Sequence, residues 1–159
     1  MPEFFEIRGG EDLRRISKEL RRMDDREVKR RFTRELRASA KPLVPKVRAS
    51  ILAIPSKSNG RTGLRKAMAR ATKLTVRTTG RDAGVSIRVD GRKMPPGKGA
   101  LPAYMEGTKP RWRHPVFGNR GVYVEQRSHP YFYRIVRPYG RRARSAIDKV
   151  ARGISRDIT

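Results

Sequence analysis

The chain has no cysteine. That absence excludes a disulfide framework, a thiolate metal site and a cysteine nucleophile. Long apolar runs are missing too: the longest aliphatic stretch, Ile51-Leu52-Ala53-Ile54, falls far short of the ~20 residues that span a bilayer, so no membrane partner is expected. The opening stretch, MPEFFEIRGGEDL, is acidic where a secretory signal would be basic, and no apolar segment follows it. Synthesis in the cytoplasm is therefore expected. Aromatic residues make up 7% and hydrophobic residues 36% of the 159, so one domain spanning 1–159 with a modest core is the expected organisation.

Acidic residues are also scarce. Asp and Glu number 15 against 40 Lys and Arg, a formal charge of +25. Self-repulsion of that size opposes compaction, so the chain is expected to complete its stability against a polyanion, an acidic partner or copies of itself. The imbalance is uneven. Residues 1–35 carry 11 basic and 9 acidic side chains, whereas 36–159 carry 29 and 6. From Gly91 to Ser145 the only acids are Glu106 and Glu125. A solvated surface usually interleaves both signs; this stretch reads instead as a working basic surface.

Periodicity supplies the elements. Phe4, Phe5 and Ile7 precede Gly9-Gly10, so 1–10 reads as an N-terminal arm or a short strand. Leu13, Ile16, Leu20 and Met23 recur at helical steps and predict a helix over 11–23. Asp24 or Asp25 is a suitable N-cap for a second helix, whose stripe runs Val28, Phe32, Leu36, Ala40, Leu43, Val47, Ile51, Ile54. Pro42 and Pro45 interrupt that stripe without shifting its period, which predicts one long kinked helix. Segments 56–61 and 91–102, rich in Gly, Pro, Ser and Lys, read as flexible loops. Between them lie a short helix from Leu64 to about Ala71 and a β-hairpin, in which Leu74 and Val76 alternate with polar residues, as do Val85, Ile87 and Val89. Ala103–Glu106 suggests a helical turn, 109–121 reads as basic and irregular, and Val122–Glu125 as a third strand. The fold class expected is α+β: a small antiparallel sheet packed on the long kinked helix and on a C-terminal amphipathic helix. The apolar stripe of that last helix is Phe132, Ile135, Tyr139, Ala143, Ile147, Val150, Ile154 and Ile158, with Pro138 either its first residue or an early kink.

Catalytic constellations are hard to assemble from these residues. His114 and His129 both precede proline, which favours extended turns over metal ligation, and no third or fourth ligand stands at a metal-site spacing. Glu106 and Glu125, set among arginines, read as ion-pair partners in preference to an acid–base pair. No GxSxG elbow is present, and Gly97-Lys98-Gly99 is too short for a phosphate-binding loop. The expectation is therefore no enzyme and no cofactor. The charge points to phosphate. Arg134, Arg137, Arg141, Arg144, Arg152 and Arg156 lie opposite the apolar stripe of the last helix with Asp148 among them, and Arg111 and Arg113 flank Trp112. These eight arginines are the candidate contacts to DNA or to a protein partner, any DNA contact being to backbone and independent of sequence.

Taken in order, the pieces resemble the neck or tail-completion (head–tail connector, minor tail) proteins of long-tailed bacteriophages. The resemblance is carried by the Gly and leucine-containing helix at Gly10–Met23, the long basic helix from Val28 to Pro55 and the Thr-Gly-Leu-Arg junction at 62–65. It continues through the valine hairpin from Leu74 to Val89, the segment from Ala103 to Thr108 closed by Gly-Thr, and the Pro-aromatic-aromatic step at 130–132. Between Lys109 and Ser128 the chain departs from the pattern, because typical members pass more directly from Gly-Thr to the Pro-aromatic step. The resemblance implies a structural virion protein at the head–tail joint, one subunit of a homo-oligomeric ring, six-fold being one order it suggests. The neighbours would be connector and tail-terminator or tail-tube proteins, with double-stranded DNA passing through the ring. The alternative reading is a free-standing, basic, non-specific nucleic-acid-binding protein.

Overall fold

The computed structural model describes residues 4–8, 11–22, 24–56, 60–79, 83–116 and 118–158. Met23, the hairpin turn at 80–82, part of the loop expected over 56–61, and Phe117 lie outside them.

The first helix, α1 (Glu11–Arg22), buries Leu13, Ile16 and Leu20 and leaves Arg14, Arg15, Arg21 and Arg22 exposed. In the second, α2 (Arg26–Ala40), Asp25 is the N-cap, its Oδ1 accepting from the N–H groups of Glu27 at 2.8 Å and Val28 at 3.0 Å. The long stripe is split. After a two-residue turn at Lys41 and Pro42 the chain resumes as α3 (Leu43–Leu52), with Pro42 as N-cap and Pro45 in the first turn. Both prolines lack the N–H that would bond four residues back, so the ladder breaks there while helical dihedrals persist at Lys41 and Pro42. The result is a bent rod of two helices. The apolar stripe nonetheless runs unbroken, with Phe32, Leu36, Ala40, Leu43, Val47 and Ile51 all buried.

A short helix, α4 (Leu64–Ala71), leads into β2 (Thr72–Arg77), and β3 (Gly84–Val89) returns antiparallel with Leu74 opposite Ile87 and Val76 opposite Val85. The N-terminal segment forms β1 (Phe4–Arg8) and pairs antiparallel on the other edge of β3. The sheet order is thus β1-β3-β2. The central strand buries Val85, Ile87 and Val89, while Ser86 and Arg88 on the alternate face are half-buried. One face of the sheet packs on the helices. After β3 the chain makes a 3-10 turn at Gly91–Lys93 and buries Met94. Gly91 is required here, because a Cβ on it would stand 2.3 Å from the carbonyl oxygen of Gly99. The next helix, α5 (Leu101–Glu106), takes the last two residues of the loop expected over 91–102.

Most of the stretch expected to be irregular over 109–121 is strand. A strand β4 (Arg111–Val116) pairs antiparallel with β5 (Asn119–Arg127) in a separate two-stranded hairpin, with a register shift at Pro115/Val116. The third strand expected near Val122 is therefore part of this hairpin and does not join the main sheet. The chain ends in α6 (Tyr133–Ile158), which carries Pro138 inside it and not at its first position. Its buried residues Val136, Ala143, Ile147, Ala151 and Ile154 close the core against α1, α2, α3 and β1. The fold is α+β, with the sheet against the bent rod and the C-terminal helix.

Candidate nucleic-acid interface

The start of α6 is fixed by a side chain 25 or more residues upstream. The Glu106 carboxylate accepts from the backbone N–H groups of Tyr131, Phe132 and Tyr133, each at 2.8 Å. Those donors have no helical acceptor, and a negative charge at a helix N-terminus is favoured by the macrodipole. Gly107 makes this placement possible. With φ +116 it ends α5 in a left-handed conformation, its N–H bonded to Ala103 and Tyr104 carbonyls, and Thr108 closes back on Ala103 at 3.2 Å. The Glu-Gly-Thr motif thus stops one helix and caps another. Glu106 makes a backbone cap here, where the sequence suggested an ion pair.

Once α6 is capped and its apolar stripe is buried, its arginines have one direction left. Arg134, Arg137, Arg141, Arg144, Arg152 and Arg156 are all exposed. Around an ideal helix they fall within roughly a third of the circumference, turned away from the buried stripe. Among the described residues no carboxylate forms an ion pair with any of the six. Asp148 lies on this side of the helix but is half-buried, and its Oδ1 is shielded from solvent without a hydrogen-bond partner. It forms no ion pair with any of them. The Arg137 guanidinium stands 5.4 Å from the centre of the Tyr133 ring, which holds it along the helix surface.

Two of the six meet other cations. Arg134 and Arg141 border a groove of about 910 Å³ between α3 and α6, together with Lys46 and Arg142. It is also lined by the small side chains of Ala49 and Ser50 on α3, by Ala53 just past its end, and by the ring of Pro138 on α6. Arg134 Nη2 donates to Ser50 Oγ at 3.2 Å, and Lys46 Nζ donates to the Tyr139 hydroxyl. Lys46, through that hydrogen bond and then through its charge, lowers the Tyr139 phenol pKa below its ordinary value, and the Arg142 charge adds to the effect. The groove therefore has a positive field that favours anions.

Arg111 and Arg113 are not part of this arrangement. They stand on β4, in a hairpin whose two strands pack chiefly on each other. Arg111 is paired with Glu125 at 2.9 Å, and Arg113 lies 5.7 Å from the Tyr123 ring centre. Trp112 packs back on Tyr104, ring centres 5.6 Å apart, and anchors the base of the hairpin. No protein-family model, curated protein or solved structure matches the chain.

Among the described residues no three His, Cys, Asp or Glu side chains converge on a point where a metal could sit. Glu106 is committed to three backbone donors and Glu125 to Arg111. His114 Nε2 lies 3.1 Å from Gln126 Oε1. No helix among the described residues is long and apolar enough to cross a membrane. The sequence missed Lys46 and Arg142, and it gave Tyr139 wholly to the core, although that residue is half-buried with its hydroxyl at the groove. The available signal was Ala49, Ser50 and Ala53, small residues on the flank of α3 beside its apolar stripe.

Proposed function

We propose that this chain is a structural, non-enzymatic subunit of the head–tail joint of a long-tailed bacteriophage. It is made in the host bacterial cytoplasm and built into the virion as a homo-oligomeric ring beside connector and tail-terminator or tail-tube proteins. Its basic surface faces double-stranded DNA or an acidic ring neighbour. The observation that carries the reading is the uncompensated arginine face of α6. Six exposed guanidinium groups with no carboxylate partner among the described residues repel one another and gain most from a surface of regularly spaced negative charge. The order of elements supports the ring reading: short strand, helix, bent basic rod, hairpin, Glu-Gly-Thr and capped C-terminal helix follow in the sequence of the resemblance. The stretch that departs from it, 109–128, is occupied by the β4–β5 hairpin.

The test replaces Arg137, Arg141 and Arg144 together by Gln. These side chains are exposed, so folding should change by about 0.5 kcal/mol or less per site. The slope of log affinity for duplex DNA against log salt should fall by about 2 to 3. An unchanged slope with lost assembly of the particle would assign the face to an acidic protein neighbour. A variant that binds DNA and assembles as the wild type does would make the face merely solvated and the reading wrong. DNA binding in a protein that joins no portal–tail assembly would favour the free-standing nucleic-acid-binding protein.

A further inference from the structure

We infer that the α3–α6 groove is the seat of a backbone phosphate, gripped by Lys46, Arg134, Arg141 and Arg142 with the Ser50 and Tyr139 hydroxyls beside them. The inference rests on the reading of the α6 face as phosphate-facing and names where on that face the grip is made. Four cations border one open groove, and among the described residues no acid lines it. Elsewhere on α6 the arginines are spread along the helix, but here α3 brings a fourth cation, Lys46, across from them. Two of the four are held in place before any ligand arrives. Arg134 is tied to Ser50 and Lys46 to Tyr139, so less side-chain entropy is lost on binding than for free surface cations. Arg134 spends one guanidinium hydrogen on Ser50 and keeps its remaining donors for a planar, forked contact to phosphate oxygens. The Lys46 hydrogen bond, and after it the Lys46 and Arg142 charges, lower the Tyr139 phenol pKa. The floor of Ala49, Ser50 and Ala53 leaves room for a phosphodiester to enter between the helices, where bulkier residues would hold it outside.

The decisive variants are Lys46→Gln with Arg142→Gln, neither of which belongs to the outward stripe. An equal-charge control is Lys66→Gln with Arg70→Gln on exposed positions of α4. Duplex DNA binding is measured against salt, and tripolyphosphate binding by titration calorimetry. The groove pair should lower the DNA salt slope by about 1, the share of the one phosphate seated there, and the α4 pair should leave it near the wild-type value. Groove and α4 variants that behave alike would overturn the inference, while the phosphate-facing reading of α6 would stand or fall on the Arg137, Arg141 and Arg144 variant. If the wild type ignores DNA but binds tripolyphosphate, and the groove pair abolishes that binding, the groove is a seat for free polyphosphate and the DNA reading fails alone. No binding of either ligand would overturn both.

Discussion

Replacing Glu106 by Ala would strand three backbone N–H groups at the start of α6, two of them on the buried residues Tyr131 and Phe132. Each orphaned donor costs about 1–3 kcal/mol when water cannot reach it. Glu106→Ala is therefore expected to lose about 2–4 kcal/mol in urea unfolding, and Glu106→Gln, which keeps one acceptor oxygen, about half of that. Equal, negligible losses would mean that solvent satisfies these donors. Asp90 gives a second residue-scale test. Its carboxylate is nearly buried and accepts from Arg92 at 3.2 Å and Lys73 at 3.3 Å, and these contacts, Arg92 first, lower its pKa from 3.8 to about 2. A depressed carboxylate pKa stabilises the fold above about 3.8 and loses that contribution as pH falls toward about 2. With Arg92 largely exposed and screened, the contribution is on the order of 1 kcal/mol. Asp90→Asn should flatten the stability profile between pH 4 and 2; an unchanged profile would assign the acid sensitivity to other carboxylates. Neither role was legible in the sequence. The cap of Glu106 spans 25 residues and depends on a left-handed Gly107, and Asp90 reads simply as the end of an alternating strand.

Elements with a clean period were the legible ones. The alternation of β2 and β3 appears as the sequence placed it, and the stripe of α6 in part: Phe132, Ala143, Ile147 and Ile154 are buried, whereas Ile135, Tyr139 and Val150 are half-buried and Val136 and Ala151 take core positions beside them. Ile147, fully buried at the centre of the α6 stripe, is the sensitive position: Ile147→Ala is expected to cost about 2–5 kcal/mol, whereas a Gln in place of Arg144 a few residues away should cost little. The hairpin of β4 and β5 was half hidden. Arg111 and Arg113 are exposed and Trp112 and His114 half-buried, a period of two, but Pro115 inside the run argues against a strand. The structure accommodates it at the register shift. Because β5 is exposed along almost its whole length, the hairpin should open independently of the core. Hydrogen exchange is expected to be faster in β4–β5 than in β2–β3; equal protection would make the two sheets one cooperative unit. The groove could not be read from one helix at a time, since it exists only where the flank of α3 meets that of α6.

At the scale of the whole molecule, the +25 charge is the dominant fact. The acids cluster toward the N-terminal third of the chain, and several that follow are spent on structure: Asp90 on its cations, Glu106 on α6, Glu125 on Arg111. Few remain to balance the surface formed by α6. The isolated protein should therefore melt at higher temperature as salt rises from low to moderate concentration, by screening of self-repulsion. The central claim, that this surface meets phosphate, is tested most directly by the affinity of the unaltered protein for duplex DNA measured across salt concentrations with two unrelated sequences of equal length. The expected result is the same steep slope for both, about 0.9 per phosphate neutralised, and equal affinities at each salt concentration. Affinity that ignores salt, or that differs by orders of magnitude between the two sequences, would contradict it.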